Sequence, residues 1–410
     1  MIIVNPPYKN PSPTSAVEPP IWCAYLAAYY GGEILDADAL GLTVDETLDR
    51  IKGESALIVA MGANPSASST PKMGVVNKII TRHMLAMPTG LHPMALGYGR
   101  PFPPVEELIK LKPAWNKVDF SLYRAHNWHC LHDLDSRDGY GVIYTRFGCP
   151  YNCSYCNIHT LYKGITFRDP LDVITEIDYL VSRGVKNLKI ADELFTVNQG
   201  HVITICDLII ERGYKLNIWA YARVNTVSPE LLARMKLAGI NWICYGYESG
   251  SIDVLKGVGK KQYGWKATKM TKDAGINILG NFMFGLPDDS LETMTDTLDM
   301  AKEFQCEYVN FYCTMAYPGS KLYMETPVGD LPKRWEDYDQ FSPTAKPLPT
   351  KHLSSRQVLE YRDYAFNAYY SDENYQDMIQ KKFGDKALNH IKEMLKWKVR
   401  ETSSSAGSSS

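Results

Sequence analysis

Along most of the 410-residue chain, short apolar runs alternate with stretches whose apolar positions recur every three or four residues. The first run, Ile2-Ile3-Val4, leads into the proline-rich loop NPPYKNPSPTSAVEPP, and IWCAYLAAYY then reads as a helix ended by Gly31-Gly32. A second strand is expected at EILDADAL, a helix at VDETLDRIKG capped by Thr43, and a third, buried strand at SALIVAMGANP. Such alternation implies a parallel sheet whose loops gather at the strands' C-terminal ends. Residues 1–100 thus form a small Rossmann-like unit, truncated after Gly90 and lacking a final strand and helix.

A second alternating run starts at Gly141. Strands are expected at GVIYTRFG, NLKIADELF, LNIWAYAR, WICYGYE, INILGNFMFG and YVNFYCTMAYPG, separated by helical patterns such as DVITEIDYLVSRG, SPELLARMKLAG and SLETMTDTLDMAKEF. Six β/α units over roughly 180 residues suit an open barrel better than a closed eight-stranded one of about 250. The predicted fold class is therefore α/β: a partial (β/α)6 TIM-like barrel at 140–330, preceded by the Rossmann-like parallel domain. Between them, 101–139 is a proline- and aromatic-rich linker or wrapping segment. Its end, YRAHNWHCLHD (123–133), either closes the barrel mouth over substrate or plugs the open barrel's end. A helical region at 331–402, with Ser354 or Ser355 as a cap, runs into a disordered low-complexity tail at 403–410.

Composition narrows the function. With 45% hydrophobic and 22% charged residues and a net charge of −2, the chain reads as a soluble globular protein with no basic cluster to track a phosphate backbone, so nucleic acid is not an expected partner. MIIVNPPYKN lacks the marks of a signal peptide and no later segment offers about 18 uncharged apolar residues, so a cytoplasmic location without a membrane partner is expected. Nine cysteines, an odd number scattered over a long chain, imply reduced thiols, some of them metal ligands.

Three of the nine fall together in Gly148–Thr160, GCPYNCSYCNIHT. Cys149, Cys153 and Cys156 lie just past the first barrel strand, where barrels place their chemistry. Gly148 permits a sharp exit from that strand and Pro150 holds Cys149 extended, so the thiols are expected to converge on a common point. Three thiolates around a four-iron cluster leave one iron free to bind a small molecule. Two other readings stay open: a Cys3His zinc site completed by His159, and unliganded core cysteines. The other six, among them Cys23, Cys206 and Cys313, are assigned to packing.

The C-x3-C-x2-C spacing of CPYNCSYC resembles the radical S-adenosylmethionine superfamily. ADELF (191–195), YARVNTV (221–227), GYESGS (246–251) and GNFMFGLPDDS (280–290) resemble it in the same order, so the resemblance spans roughly 141–330. It implies a [4Fe-4S] cluster on Cys149, Cys153 and Cys156, with S-adenosylmethionine on the open iron cleaved by one electron to a 5′-deoxyadenosyl radical. It further implies Tyr155 near the adenine, Asp192 and Glu193 facing the sulfonium's amino group or ribose, Glu248 on a ribose hydroxyl or the amine, and Arg223 on the methionine carboxylate. Such a zwitterion needs acceptors for its ammonium and a planar fork for its carboxylate. Gly280 and Gly285 are assigned to close backbone approach.

The N-terminal unit is similar, through VNPPY, PPIWCAYLAAYY, DADAL, ANPS and TGLHP, to the cobalamin-binding domains fused before such barrels. That implies Asn5, Ser66, Gly90 and His92 around a corrin. There is no D-x-H-x-x-G motif, so the lower face of cobalt is unassigned; His92 is read as a cobalt ligand, a loop histidine near the cofactor tail or a turn residue. A plain α/β domain without cofactor is the alternative. The resemblance implies a cobalamin-dependent methyltransferase acting on an unactivated carbon of a small metabolite or sugar, with a reductase such as flavodoxin or ferredoxin as electron donor. Two alternatives are a cobalamin-independent rearrangement, dehydration or epimerisation enzyme, and a non-catalytic zinc-binding scaffold.

Overall fold

The computed structural model describes residues 1–8, 15–65, 69–261, 264–340 and 342–396. The N-terminal unit is a parallel sheet of β1 (Ile2–Asn5), β2 (Glu33–Asp36), β3 (Ala56–Val59) and β4 (Ala86–Thr89), in the order β2-β1-β3-β4. β4 and the short helix Leu91–Ala95 correct the expectation of a unit cut off without a final strand and helix. The AMPT strand lacks any alternating signal and contains Pro88, which an edge strand tolerates because one side of its backbone needs no partner. Thr43 caps the helix Val44–Arg50 in a full capping box with Glu46. Because the chain turns from β1 to β2 on one side and reaches β3 on the other, a crevice opens at the C-terminal ends of β1 and β3.

The second sheet holds β5 (Tyr140–Ile143), β8 (Asn187–Ile190), β9 (Asn217–Ala222), β10 (Ile240–Glu248), β11 (Asn277–Phe284) and β12 (Tyr308–Cys313). All pair in parallel in the order β12-β11-β10-β9-β8-β5, giving the six-stranded partial barrel expected. A short antiparallel pair, β6 (Arg146–Phe147) and β7 (Thr166–Phe167), brackets the cysteine loop. Side-chain caps start the outer helices: Asp169 for Pro170–Ser182, Ser228 for Pro229–Leu237, Ser290 for Leu291–Phe304 and Ser354 for Ser355–Tyr370. Gly285, at φ 80, turns β11 out of the sheet where a Cβ would collide with Val358 of the last of these helices.

The inward-facing positions are layered by the register. Lys189, Trp219 and Trp242 share the lowest level, Tyr221, Cys244, Leu279 and Tyr308 the next, and Gly246, Asn281 and Asn310 the one above. Trp128 meets Trp219 and Trp242 edge-on at 5.1 and 5.3 Å, and the Asn217 amide donates to the His129 carbonyl at 3.0 Å. These contacts are at the strands' beginnings, so 123–133 plugs the end opposite the cysteine loop rather than closing the mouth. Among the described residues no helix is long and apolar enough to cross a membrane.

Candidate functional site

The cysteine loop leaves the barrel at a forced corner. Gly148 has φ 89, and a Cβ there would overlap the Gly164 carbonyl, so glycine alone permits the turn. Beneath it, Arg146 is completely buried, its guanidinium donating to the carbonyls of Leu194 and Gly148. It anchors the start of the loop to the end of β8. An arginine inside the apolar run GVIYTRFG was the available signal, and the sequence reading did not use it.

Asp192 is a correction. It faces no ligand: fully buried, it accepts from the Thr145 amide (2.7 Å), the Thr145 hydroxyl (2.5 Å) and the Arg146 amide (3.4 Å), with the Arg146 guanidinium 3.9 Å away. Past the end of β5 these amides have no ladder partner, and the carboxylate supplies one. Glu193 differs. One oxygen accepts from the Gly148 amide at 3.2 Å, while the other is buried without a partner; burial raises this carboxyl to about 7 despite the pull of Arg146.

The three thiols are partly buried and share one loop, tightened by a Cys156-to-Cys153 backbone hydrogen bond of 3.0 Å. Burial pushes Cys156 up to about 12 and raises Cys149, so thiolates here require positive charge nearby. Arg223 provides some: its guanidinium reaches the Cys153 sulfur at 3.6 Å and lies 4.0 Å over the Tyr151 ring. Among the described residues no three Cys, His, Asp or Glu side chains are gathered tightly enough for a single metal ion. A zinc ion needs four donors about 2.3 Å or less from its centre, whereas cluster ligands attach to separate irons of a larger body. His159 is engaged too, its Nε2 lying 2.9 Å from the Tyr151 carbonyl. Three thiols on one loop, with the Arg223 guanidinium beside Cys153, are a donor set that fits a cluster held by three thiolates.

Tyr155 and Glu248 meet: the phenol donates to Oε1 at 2.9 Å, and Lys260 donates to the same oxygen at 2.7 Å. Glu248 sits at a bulge ending β10 with φ 65, a conformation costing a non-glycine residue about 1 kcal/mol or more. Lys260 also donates to the Gly246 carbonyl at 2.8 Å, and a Cβ on Gly246 would strike both Glu248 and Lys260. Nothing local in the sequence pairs Lys260 with Glu248. Gly280 is likewise tight, since a Cβ would meet Phe282 at 2.8 Å and the Cys306 sulfur at 3.1 Å.

A cavity of ≈ 730 Å³ lies between the N-terminal crevice and the barrel's inner face, touched by Asn5, Gly62 and Asn64 on one side and Lys189, Tyr221 and Asn310 on the other. The loop after β3 docks onto the barrel, with the Tyr144 hydroxyl donating to the Ala63 carbonyl at 2.6 Å and the Asn64 amide to the Ala191 carbonyl at 3.2 Å. Of the described residues assigned to a corrin, only Asn5 reaches this cavity. Its amide donates to Asp36 at 2.7 Å and its oxygen accepts from Lys72. Gly90, at φ 125, serves packing, since a Cβ would lie 2.8 Å from the Met61 side chain. His92 is wholly buried away from the cavity lining, with Nε2 2.8 Å from the Thr70 hydroxyl and Trp335 against its ring. Burial lowers its pKa to about 3, and the ring stands outside the residues that line the cavity. Ser66 lies outside the described residues.

Comparison with known proteins agrees with this geometry. An uncharacterised methyltransferase of Pyrococcus horikoshii is 28% identical over 240 residues, 56% of this chain and 51% of the relative. An anaerobic magnesium-protoporphyrin IX monomethyl ester cyclase of Rubrivivax gelatinosus is 27% identical over 65% of this chain and 48% of the relative. The chain thus spans about half the length of these curated relatives. Among solved structures, the radical S-adenosylmethionine methyltransferase TsrM of Kitasatospora setae, with cobalamin and a [4Fe-4S] cluster bound, shares the fold at a TM-score of 0.61, 18% identity, 79% of this chain and 74% of that one. The cobalamin-dependent S-adenosylmethionine radical enzyme OxsB matches at 0.53, with 16% identity over 74% of this chain and 52% of that one. The Radical SAM superfamily model matches residues 143–301, the span holding the cysteine loop and β6 to β11, and that part of the chain is similar to a radical S-adenosylmethionine domain.

Proposed function

We propose that the chain is a cobalamin-dependent radical S-adenosylmethionine methyltransferase acting on an unactivated carbon of a small organic molecule. The observation that carries the reading is the cysteine loop: three part-buried thiols on one loop at the barrel rim, beside Glu193, whose buried oxygen has no partner among the described residues. Cys149, Cys153 and Cys156 hold the cluster. Glu193 accepts from the ammonium or ribose of S-adenosylmethionine, Arg223 receives its carboxylate, and Tyr155 with Glu248 borders its nucleoside. Lys260 holds the Glu248 side chain in place by donating to its Oε1 at 2.7 Å. Asn5 and the Met61–Asn64 loop form the corrin-facing wall of the shared cavity, residues 1–100 serving as its platform and 140–330 as the catalytic barrel. When bound, the cluster supplies the electron that cleaves S-adenosylmethionine and cobalamin carries the methyl group. The protein's part is to orient these groups and keep water from them.

The names of the Pyrococcus relative and of TsrM support methyl transfer, and the cobalamin in both solved neighbours supports the corrin. Nine free cysteines suit a reducing, cytoplasmic compartment, and a flavodoxin- or ferredoxin-type reductase is the electron donor. The test is anaerobic: protein reconstituted with iron, sulfide and hydroxocobalamin, then reduced with dithionite, turns S-adenosylmethionine into 5′-deoxyadenosine or S-adenosylhomocysteine. A fully loaded cluster that yields neither product overturns the reading.

A further inference from the structure

The cavity between the two halves separates charge from hydrogen-bonding capacity. Among the described residues, its buried charges are spent on one another. Glu18 accepts from Lys189 at 2.6 Å, Arg362 donates to Asp363 at 2.8 Å, and Lys72 lies 3.9 Å from Asp38. The strongest pair is in the barrel floor, where Lys189 also lies 4.9 Å from the Trp219 ring and holds Glu18 down to about 2 against the cost of burial. Arg124, the remaining cation, is exposed, and solvent screens it.

The hydrogen-bonding groups left over are neutral. The Trp22 indole N–H and the Asn127 side-chain oxygen are buried on the cavity wall without partners among the described residues. Asn310 donates to Asn281 at 3.0 Å, and its own carbonyl oxygen has no partner among the described residues; nor has the Tyr312 hydroxyl. The walls between these groups are rings: Trp128, Trp219, Tyr221 and Tyr308. A buried carboxylate or phosphate entering here would meet no uncommitted buried cation among the described residues, and burying an unpaired charge is expensive. A flat neutral molecule would cover the rings and satisfy the spare dipoles at no such cost.

From this we propose that the barrel side of the cavity selects an uncharged, flat, hydrogen-bonding substrate and rejects carboxylated or phosphorylated ones. The inference rests on the methyltransferase reading for calling the occupant a substrate, but its test does not. Two isosteric probes, 1-naphthamide and 1-naphthoate, are titrated into the full chain by saturation-transfer NMR and calorimetry, with glucose 6-phosphate as a competitor. Naphthamide binds at least about tenfold more tightly than naphthoate, Asn310→Leu weakens it about fivefold or more, and glucose 6-phosphate displaces neither. Glu18→Gln, which keeps an acceptor for Lys189 but removes its countercharge, raises naphthoate affinity about tenfold. Equal or better binding of naphthoate to the unaltered chain, displacement by glucose 6-phosphate, or no binding of naphthamide overturns the proposal. Because no step of the assay needs cluster or corrin, such a failure leaves the cleavage of S-adenosylmethionine standing or falling on its own test.

Discussion

The barrel rim and the N-terminal crevice face the same interior, yet they spend their polar groups in opposite ways. At the rim, a buried Glu193 oxygen and the Ser154 hydroxyl have no partner among the described residues, and one of the three thiols, Cys153, meets a guanidinium. In the crevice, Asn5, Asp36 and Lys72 satisfy one another; behind the wall, His92 Nε2 is matched to Thr70, while its Nδ1 has no partner among the described residues. Unsatisfied buried groups cost stability, and a fold tolerates them where a ligand will supply the partner. The rim is thus built to bind through side chains. The crevice offers shape, small residues and backbone.

The largest effect expected of this contrast is at the cysteines. Cys153→Ala abolishes 5′-deoxyadenosine formation by the reconstituted protein, while hydroxocobalamin still binds, since the two sites share no side chain; loss of both together would erase the distinction. Next is the scaffold of the rim. Arg146→Met strands the buried Asp192 carboxylate and two carbonyls, which costs about 3–5 kcal/mol in urea unfolding and lowers iron content. A cost within experimental error would show that Arg146 does not hold the loop.

A smaller effect separates a core histidine from a ligand. His92 has a folded pKa near 3 against about 6.5 when unfolded, so protons bind preferentially to the unfolded chain. Its contribution is complete above pH 6.5 and is lost as pH falls, about 2 kcal/mol by pH 5. His129, also buried and pushed well below its ordinary value, adds in the same direction. The urea midpoint should fall between pH 7 and 5, less steeply in His92→Phe; an unchanged slope would contradict the burial argument. The smallest effect is on the corrin: hydroxocobalamin affinity of His92→Phe stays within about twofold, the spread of a substitution remote from a site. A tenfold loss would restore His92 to the cofactor.

How much of this was legible follows the range of each interaction. The six barrel strands, the caps at Thr43 and Ser354, and the corner at Gly148 are encoded by residues within a few positions of one another, and local pattern finds them. β4 escaped because four residues with a proline carry no period. The cysteines announce themselves by spacing, but Asp192 and Glu193 look equivalent on paper. Only the fold shows that one braces the loose amides after β5 and the other has an oxygen to spare. Lys189 with Glu18, 171 positions apart, could not have been paired from sequence; a lysine inside the strand NLKI signalled only that some partner must exist.

The central claim is that three thiols hold a cluster with one iron open to S-adenosylmethionine. Electron paramagnetic resonance of the anaerobically reconstituted, dithionite-reduced full chain tests it directly. A [4Fe-4S]+ signal whose g-values shift on addition of S-adenosylmethionine is the result the account requires. A signal indifferent to that addition, or one equivalent of zinc with no sulfide, would contradict it.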